Sequence, residues 1–381
     1  MSAATRLWCR CEIKEKKMKK TGFTVFCIII VWSLSVICAS ARTVSVTDMA
    51  GRQVTAPFDP DRIVCIGPGA LRLIVYLQAE SKVVGVEDIE KMNPGGRPYW
   101  IAHPELSKLP RCGPGGPSGI NKKPDLEAVL SVKPEVIFIT YMDASLADEV
   151  QRAVGIPLVV LSYGLFATFD EAVYDALRIA GRILNREKRA DNVVTYIESL
   201  RKDMRSRTMN ISDNAKPTVY VGGIGYRGAH GIESTEQRYI PFEWIGAENV
   251  AKKVKASIGS HVFIDKEILL KLNPDIIFID GGGLILVMED YRKKPKFYNA
   301  LQAVSNRKVY TLLPFNWYVT NIGTALADAY AIGKILYAKH FEDVDPKIKA
   351  DEIYTFLVGK PVYKSMQKDY SPIGQKALFL N

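Results

Sequence analysis

Asp125 to Thr140, DLEAVLSVKPEVIFIT, recurs without a gap as Asp265 to Asp280, DKEILLKLNPDIIFID, with seven of sixteen residues identical. Each copy opens with an Asp at a helix N-cap position, runs about two apolar-periodic turns, breaks at Pro134 or Pro274 and closes in the strand-like run VIFI or IIFI. The pattern predicts helix, tight turn and buried parallel strand, once in each of two lobes. Solenoid repeats have periods of roughly 20 to 50 residues, so a spacing of 140 residues is that of a duplicated domain. The fold expected is α/β: two similar lobes that face each other across a cleft.

Around the repeat the same logic extends in both directions. Residues 43–57 alternate apolar and polar positions about an Asp48/Gly51 turn, which predicts a hairpin. Arg62 to Ile66 reads as a buried strand entering the turn Gly67-Pro68-Gly69 and a helix over 70–78; Pro217 to Val221, followed by Gly222-Gly223, opens the second lobe in the same way. Between the lobes, Phe169, Val173, Leu177, Ala180 and Leu184, then Val193, Val194, Ile197, Leu200 and Met204, fall at helical spacing. A packed helical connector predicts little relative movement of the lobes. The divisions expected are 1–41 leader, 42–166 N-terminal lobe, 167–207 connecting helix region and 208–381 C-terminal lobe with C-terminal helices. Residues 87–120 form a long Pro/Gly-rich excursion, and loops of that length tend to be functional.

The leader has the three parts of a secretory signal. Seven Lys/Arg precede an uncharged apolar run, Phe23 to Cys38, which ends in Ala39-Ser40-Ala41. Cleavage is expected after Ala41, with the start at Met1 or Met18, and the product is expected in the periplasm. The uncharged span Thr21 to Ala41 is also just long enough to cross a bilayer, so a retained anchor is the alternative; bulky Ile37 argues against lipid attachment at Cys38. Half of the formal charge of +10 sits in the first 41 residues. The remainder is too mildly basic for a nucleic-acid partner. Only Cys65 and Cys112 lie beyond the leader, as a single disulfide or as two buried thiols.

No catalytic constellation stands out. Gly115-Gly116-Pro117-Ser118-Gly119 is not G-x-S-x-G, Gly281-Gly282-Gly283 lacks the Lys-Ser/Thr of a phosphate loop, and no dinucleotide fingerprint opens a helix. His103, His230, His261 and His340 are scattered, with no zinc-type spacing. The chain therefore reads as a non-enzyme with no resident cofactor or metal, a secreted α/β enzyme being the remote alternative.

Val46-x-Asp48-x-x-Gly51-Arg52-x-Val54-x-x-Pro57, Pro60-x-Arg62-Ile63-Val64, Leu126-Glu127 with Pro134-Glu135-Val136-Ile137, and Ile179-Ala180-Gly181-x-x-Leu184 occur in order. Together they resemble the periplasmic substrate-binding proteins of iron-siderophore, haem and cobalamin ABC importers, over nearly all of residues 43–340. The loop from Glu87 to Gly119 is longer and richer in Pro/Gly than that family's pattern. The resemblance implies two similar α/β lobes bridged by a long rigid helix with the ligand cleft between them, in a monomer that carries a small-molecule metal chelate to a permease dimer. An iron chelate is the ligand expected, with a corrinoid, haem or a molybdate-type oxyanion as alternatives. It also implies that Glu127 and Glu267, one per repeat copy, dock into arginine pockets on the permease; a first-turn Glu also gains from the helix dipole alone. Ligand contacts are expected from loops at the carboxyl ends of the strands: Trp100, Tyr141, Tyr163, Tyr226, Arg227, His261, Trp317 and Tyr318. Their aromatic faces suit a macrocycle or chelate, and Arg227 its negative charge.

Overall fold

The computed structural model describes residues 42–92, 95–165, 169–226, 228–254, 260–377 and 379. The leader and Arg227 lie outside the described residues.

The chain begins with the hairpin β1 (Thr43–Thr47) and β2 (Gln53–Pro57). Asp48, at its turn, explains the first motif. Its Oδ1 accepts from the backbone N–H groups of Ala50 and Arg52, and its Oδ2 from Arg52 Nε and from the N–H of Val160. The buried Asp48–Arg52 pair thus ties the hairpin to the first lobe.

That lobe contains β3 (Ile63–Ile66), α1 (Ala70–Tyr76), β4 (Val83–Gly85), α2 (Leu126–Ser131), β5 (Val136–Thr140), α3 (Ala144–Val154) and β6 (Leu158–Leu161). Its sheet is parallel throughout in the order β4-β3-β5-β6. The connector follows as two helices, α4 (Ala172–Ile183) and α5 (Glu187–Thr208), broken at Leu184 to Arg186. The 22-residue α5 is the long helix, and Val193, Ile197 and Met204 are fully buried along it.

The second lobe repeats the first. It contains β7 (Thr218–Gly222), β8 (Ser234–Glu236), β9 (Glu248–Asn249), β10 (His261–Phe263), α6 (Lys266–Leu272), β11 (Ile276–Asp280), α7 (Leu284–Lys293) and β12 (Val309–Leu312). The parallel order β9-β7-β11-β12 places β7 and β11 where β3 and β5 stand in the first lobe, with β8 and β10 as an added antiparallel pair. The turn of each repeat copy is made alike: Lys133 and Asn273, each before its proline, adopt φ of 48° and 38°. A left-handed residue there reverses the chain tightly enough to carry helix into strand.

The helices after Gly323 do not stay with the second lobe. α8 (Ile322–Leu336) and α9 (Pro346–Val358) pack into one buried cluster with α1, and His103 Nε2 lies 3.0 Å from the Val358 carbonyl. A lobe boundary drawn along the chain is therefore crossed in space. Among the described residues, no helix is long and apolar enough to cross a membrane. Cys65 and Cys112 are free, buried thiols.

Candidate functional site

The segments that follow the carboxyl ends of β4, β7, β11 and β12 line a cavity of about 790 Å³. One wall comes from the first lobe's long loop (Ile89, Gly96, Pro117, Ser118). The other comes from the second lobe (Gly225, Gly228, Ala229, Asp280, Gly282, Pro314), and Asn316, Trp317, Tyr318 and Tyr370 complete the lining. Asp280 is the one charged side chain among these described residues.

The loop after β12 places Trp317 and Tyr318. It is held by a guanidinium from the opposite lobe: Arg72 of α1, fully buried, donates to the carbonyls of Thr320 (2.8 Å), Trp317 (2.8 Å) and Tyr318 (3.2 Å). Tyr318 and Val319 adopt φ of 47° and 71°, a conformation that costs most for a β-branched residue and persists where surrounding contacts impose it. Tyr318 Oη then donates to Glu87 Oε2 at 2.8 Å and accepts from the N–H of Gly116 at 3.0 Å. Tyr318 thereby bolts the second lobe's loop to the first lobe's long loop. The Trp317 ring lies 5.9 Å from the guanidinium carbon of buried Arg97, which pairs with Glu90, and its indole N–H is buried without a hydrogen-bond partner.

Burial dominates the acid chemistry. It raises Glu87 to about 7 despite the Tyr318 hydrogen bond, and Asp280 to about 7 despite the Gly282 N–H. Behind Asp280, Glu236 is raised to about 8 by burial and by the neighbouring Asp280 carboxyl.

Of the eight ligand positions expected from sequence, the cavity lining contains Trp317 and Tyr318. Trp100 (5% exposed) and Tyr163 (4% exposed) are part of the buried core. Trp100 stacks beneath Arg97, and Tyr163 donates to the Gly69 carbonyl where a side chain at that glycine would collide with its ring. Both aromatics serve the packing that shapes the cleft. Tyr141 is half-buried against the same core, at φ of 58°.

Tyr226 and His261 stack face to face at 4.3 Å, beside rather than within the lining. Ser234 Oγ gives its hydrogen to the Ile224 carbonyl, so at 2.8 Å it accepts from His261 Nε2. Burial, with a smaller contribution from His230, pushes His261 down to about 4. It is a neutral imidazole at physiological pH.

Glu127 and Glu267 are both exposed in the first turns of the equivalent helices α2 and α6. Sequence reasoning passed over Asp280, Glu87, Asn316 and Tyr370. Asp280 carried a signal, since it ends the second repeat copy at a strand's carboxyl terminus. Tyr370 carried none: it reaches the cleft from the last helical segment, packing between Gly96 and Gly281.

The family model described as "Periplasmic binding protein" matches residues 63–314. Haemophilus influenzae Molybdate-binding protein MolA is 25% identical over 359 residues, covering 88% of this chain and 96% of MolA. The molybdate-bound MolA structure aligns with a TM-score of 0.65 at 22% identity, over 84% of this chain and 98% of MolA. YvrC, an ABC transporter substrate-binding lipoprotein of Bacillus subtilis, is 25% identical over 274 residues, covering 71% of this chain and 78% of YvrC. A periplasmic solute binding protein of Veillonella parvula has a TM-score of 0.68 at 19% identity, over 86% of this chain and 97% of that one.

Proposed function

The chain belongs to the periplasmic binding protein family, as a substrate-binding component of an ABC transporter, and on that premise we propose that its substrate is a metal chelate of the ferric siderophore type. The cavity carries the reading. At about 790 Å³, lined by Trp317, Tyr318, Tyr370, prolines and small residues, it lies within the range of about 300–1,000 Å³ typical for drug-sized organic ligands. The metal arrives inside its chelator and the protein grips the organic shell, as a non-catalytic carrier exported to the periplasm by the leader. A second reading, an oxyanion, is favoured by the likeness to MolA, whose name states molybdate. A bare tetrahedral oxyanion would leave most of this cavity unfilled.

Trp317 serves as the reporter. Residues 42–381 are titrated with ferric siderophores, haem, cobalamin and molybdate while tryptophan emission is followed. Saturable quenching by a ferric siderophore at sub-micromolar concentration is expected; binding of another member of the panel alone overturns the chelate assignment.

Delivery is assigned to Glu127 and Glu267, two exposed carboxylates on equivalent helices that suit a two-point electrostatic contact with a permease dimer. The double reversal Glu127→Arg/Glu267→Arg is expected to leave ligand affinity within twofold and to reduce uptake at least tenfold. Lost affinity with the fold intact would place the pair in ligand binding instead.

A further inference from the structure

We propose that the cleft selects among chelates by charge, taking those with no net negative charge and receiving a hydrogen-bond donor or cationic group of the ligand on Asp280. The inference rests on the metal-chelate reading above and adds a substrate class to it.

Asp280 is 2% exposed and lines the cavity. Its Oδ1 accepts the Gly282 N–H at 2.8 Å, and its Oδ2 has no partner among the described residues. That oxygen is an acceptor on the cavity wall with no protein donor, and a ligand donor can reach it.

The groups facing Asp280 reinforce its preference. Glu236, 1% exposed on β8, has both carboxyl oxygens unbonded; Asp328, fully buried on α8, accepts the Leu313 N–H with Oδ1 and leaves Oδ2 unbonded. Tyr239 and Tyr370 are the other titratable groups that sense Asp280. Among the described residues these four are all acids, and the guanidinium of Arg97, which acts on Tyr370, is paired with Glu90. An anion seated here either meets carboxylate or forces the cluster to stay protonated, whereas a donor satisfies Oδ2 at once. A chelate that carries a free ammonium or an amide N–H supplies the donor Asp280 lacks, whereas a polyanionic chelate does not.

A pH signature follows. With Asp280 titrating at about 7, its carboxylate becomes available as pH rises from 6 to 8, so a cationic ligand should bind more tightly across that interval.

Three probes test the selection by calorimetric titration: a ferric trihydroxamate bearing a free ammonium, a triply anionic ferric tris-catecholate, and sodium molybdate. Each is measured with the wild-type protein and with Asp280→Asn, which keeps the acceptor for Gly282. The trihydroxamate is expected to bind at least tenfold more tightly than the tris-catecholate, to gain affinity between pH 6 and 8, and to lose about tenfold and its pH dependence in Asp280→Asn. Tighter binding of the tris-catecholate, or an Asp280→Asn protein with unchanged affinity and pH profile, overturns charge selection and leaves the chelate reading standing. Binding of molybdate with neither chelate bound overturns both. The wild-type ranking decides the matter even if the variant fails to fold.

Discussion

In the first repeat copy the final residue, Thr140, donates its hydroxyl to the Pro68 carbonyl at 3.0 Å and is 2% exposed; in the second, the matching Asp280 is just as buried but turns an unpartnered oxygen toward the cavity. Before that residue the two copies share an exposed first-turn Glu, a left-handed residue before proline, and a fully buried central strand. Duplication preserved the residues that make the lobe and let the strand's last position diverge. That position is the last rung of the ladder, opposite Leu161 in one lobe and Leu312 in the other, so a change there acts at the strand's cleft end rather than in its apolar middle.

Exchanging the two ends should break the comparison most severely. Thr140→Asp puts a buried carboxylate against the Pro68 carbonyl that Thr140 now bonds, and should cost about 2–4 kcal/mol in urea unfolding. Asp280→Thr should be neutral or stabilising in the unliganded protein, because it removes a buried acid with one empty acceptor. Equal costs would mean that the two ends are the same kind of structural position.

The pH dependence of stability sharpens the contrast. Asp280 and Glu236 are raised by burial from 3.8 and 4.5 to about 7 and about 8. Stability from groups raised in the folded state is fully present below their ordinary values and is lost as pH rises through the folded ones. The unliganded protein should therefore lose stability progressively between about pH 4 and pH 8. Asp280→Thr should flatten that profile, and urea midpoints measured across the range would show it. A profile unchanged by the substitution would remove Asp280 from the titrating set.

The smallest difference lies at the opposite end of the unit. Asp125 Oδ1 accepts the Ala128 N–H at 3.0 Å, whereas Asp265 makes no side-chain capping bond. Asp125→Ala should cost about 1 kcal/mol and Asp265→Ala only a few tenths. Equal losses in thermal unfolding would show that the second cap forms in solution.

The two lobes, their parallel strands and the helical connector were legible in the sequence because they rest on local periodicity, and a repeat makes the same periodic statement twice. The connector's break at Leu184 to Arg186 was not legible, since the apolar spacing continues on either side of it. At the cleft, Trp317 and Tyr318 were legible as aromatics in a strand-following loop. Trp100 and Tyr163 met the same description yet lie in the core, because the path of the long loop folds Trp100 under Arg97 and the turn after β3 packs Gly69 on Tyr163.

The sequence by itself determined the architecture and the family resemblance, since both are carried by short-range patterns of apolar residues, glycines and prolines. Tertiary structure alone decided what the cleft is made of. Arg72 reaches residues 317–320 and Tyr318 reaches Glu87 across more than two hundred positions of chain, while Tyr370 enters from the last helical segment. The burial that moves Asp280 and Glu87 to about 7 exists only once those segments have excluded water around them. A carboxyl's place in the sequence says what it is; the water it loses on folding sets which ligand it can receive.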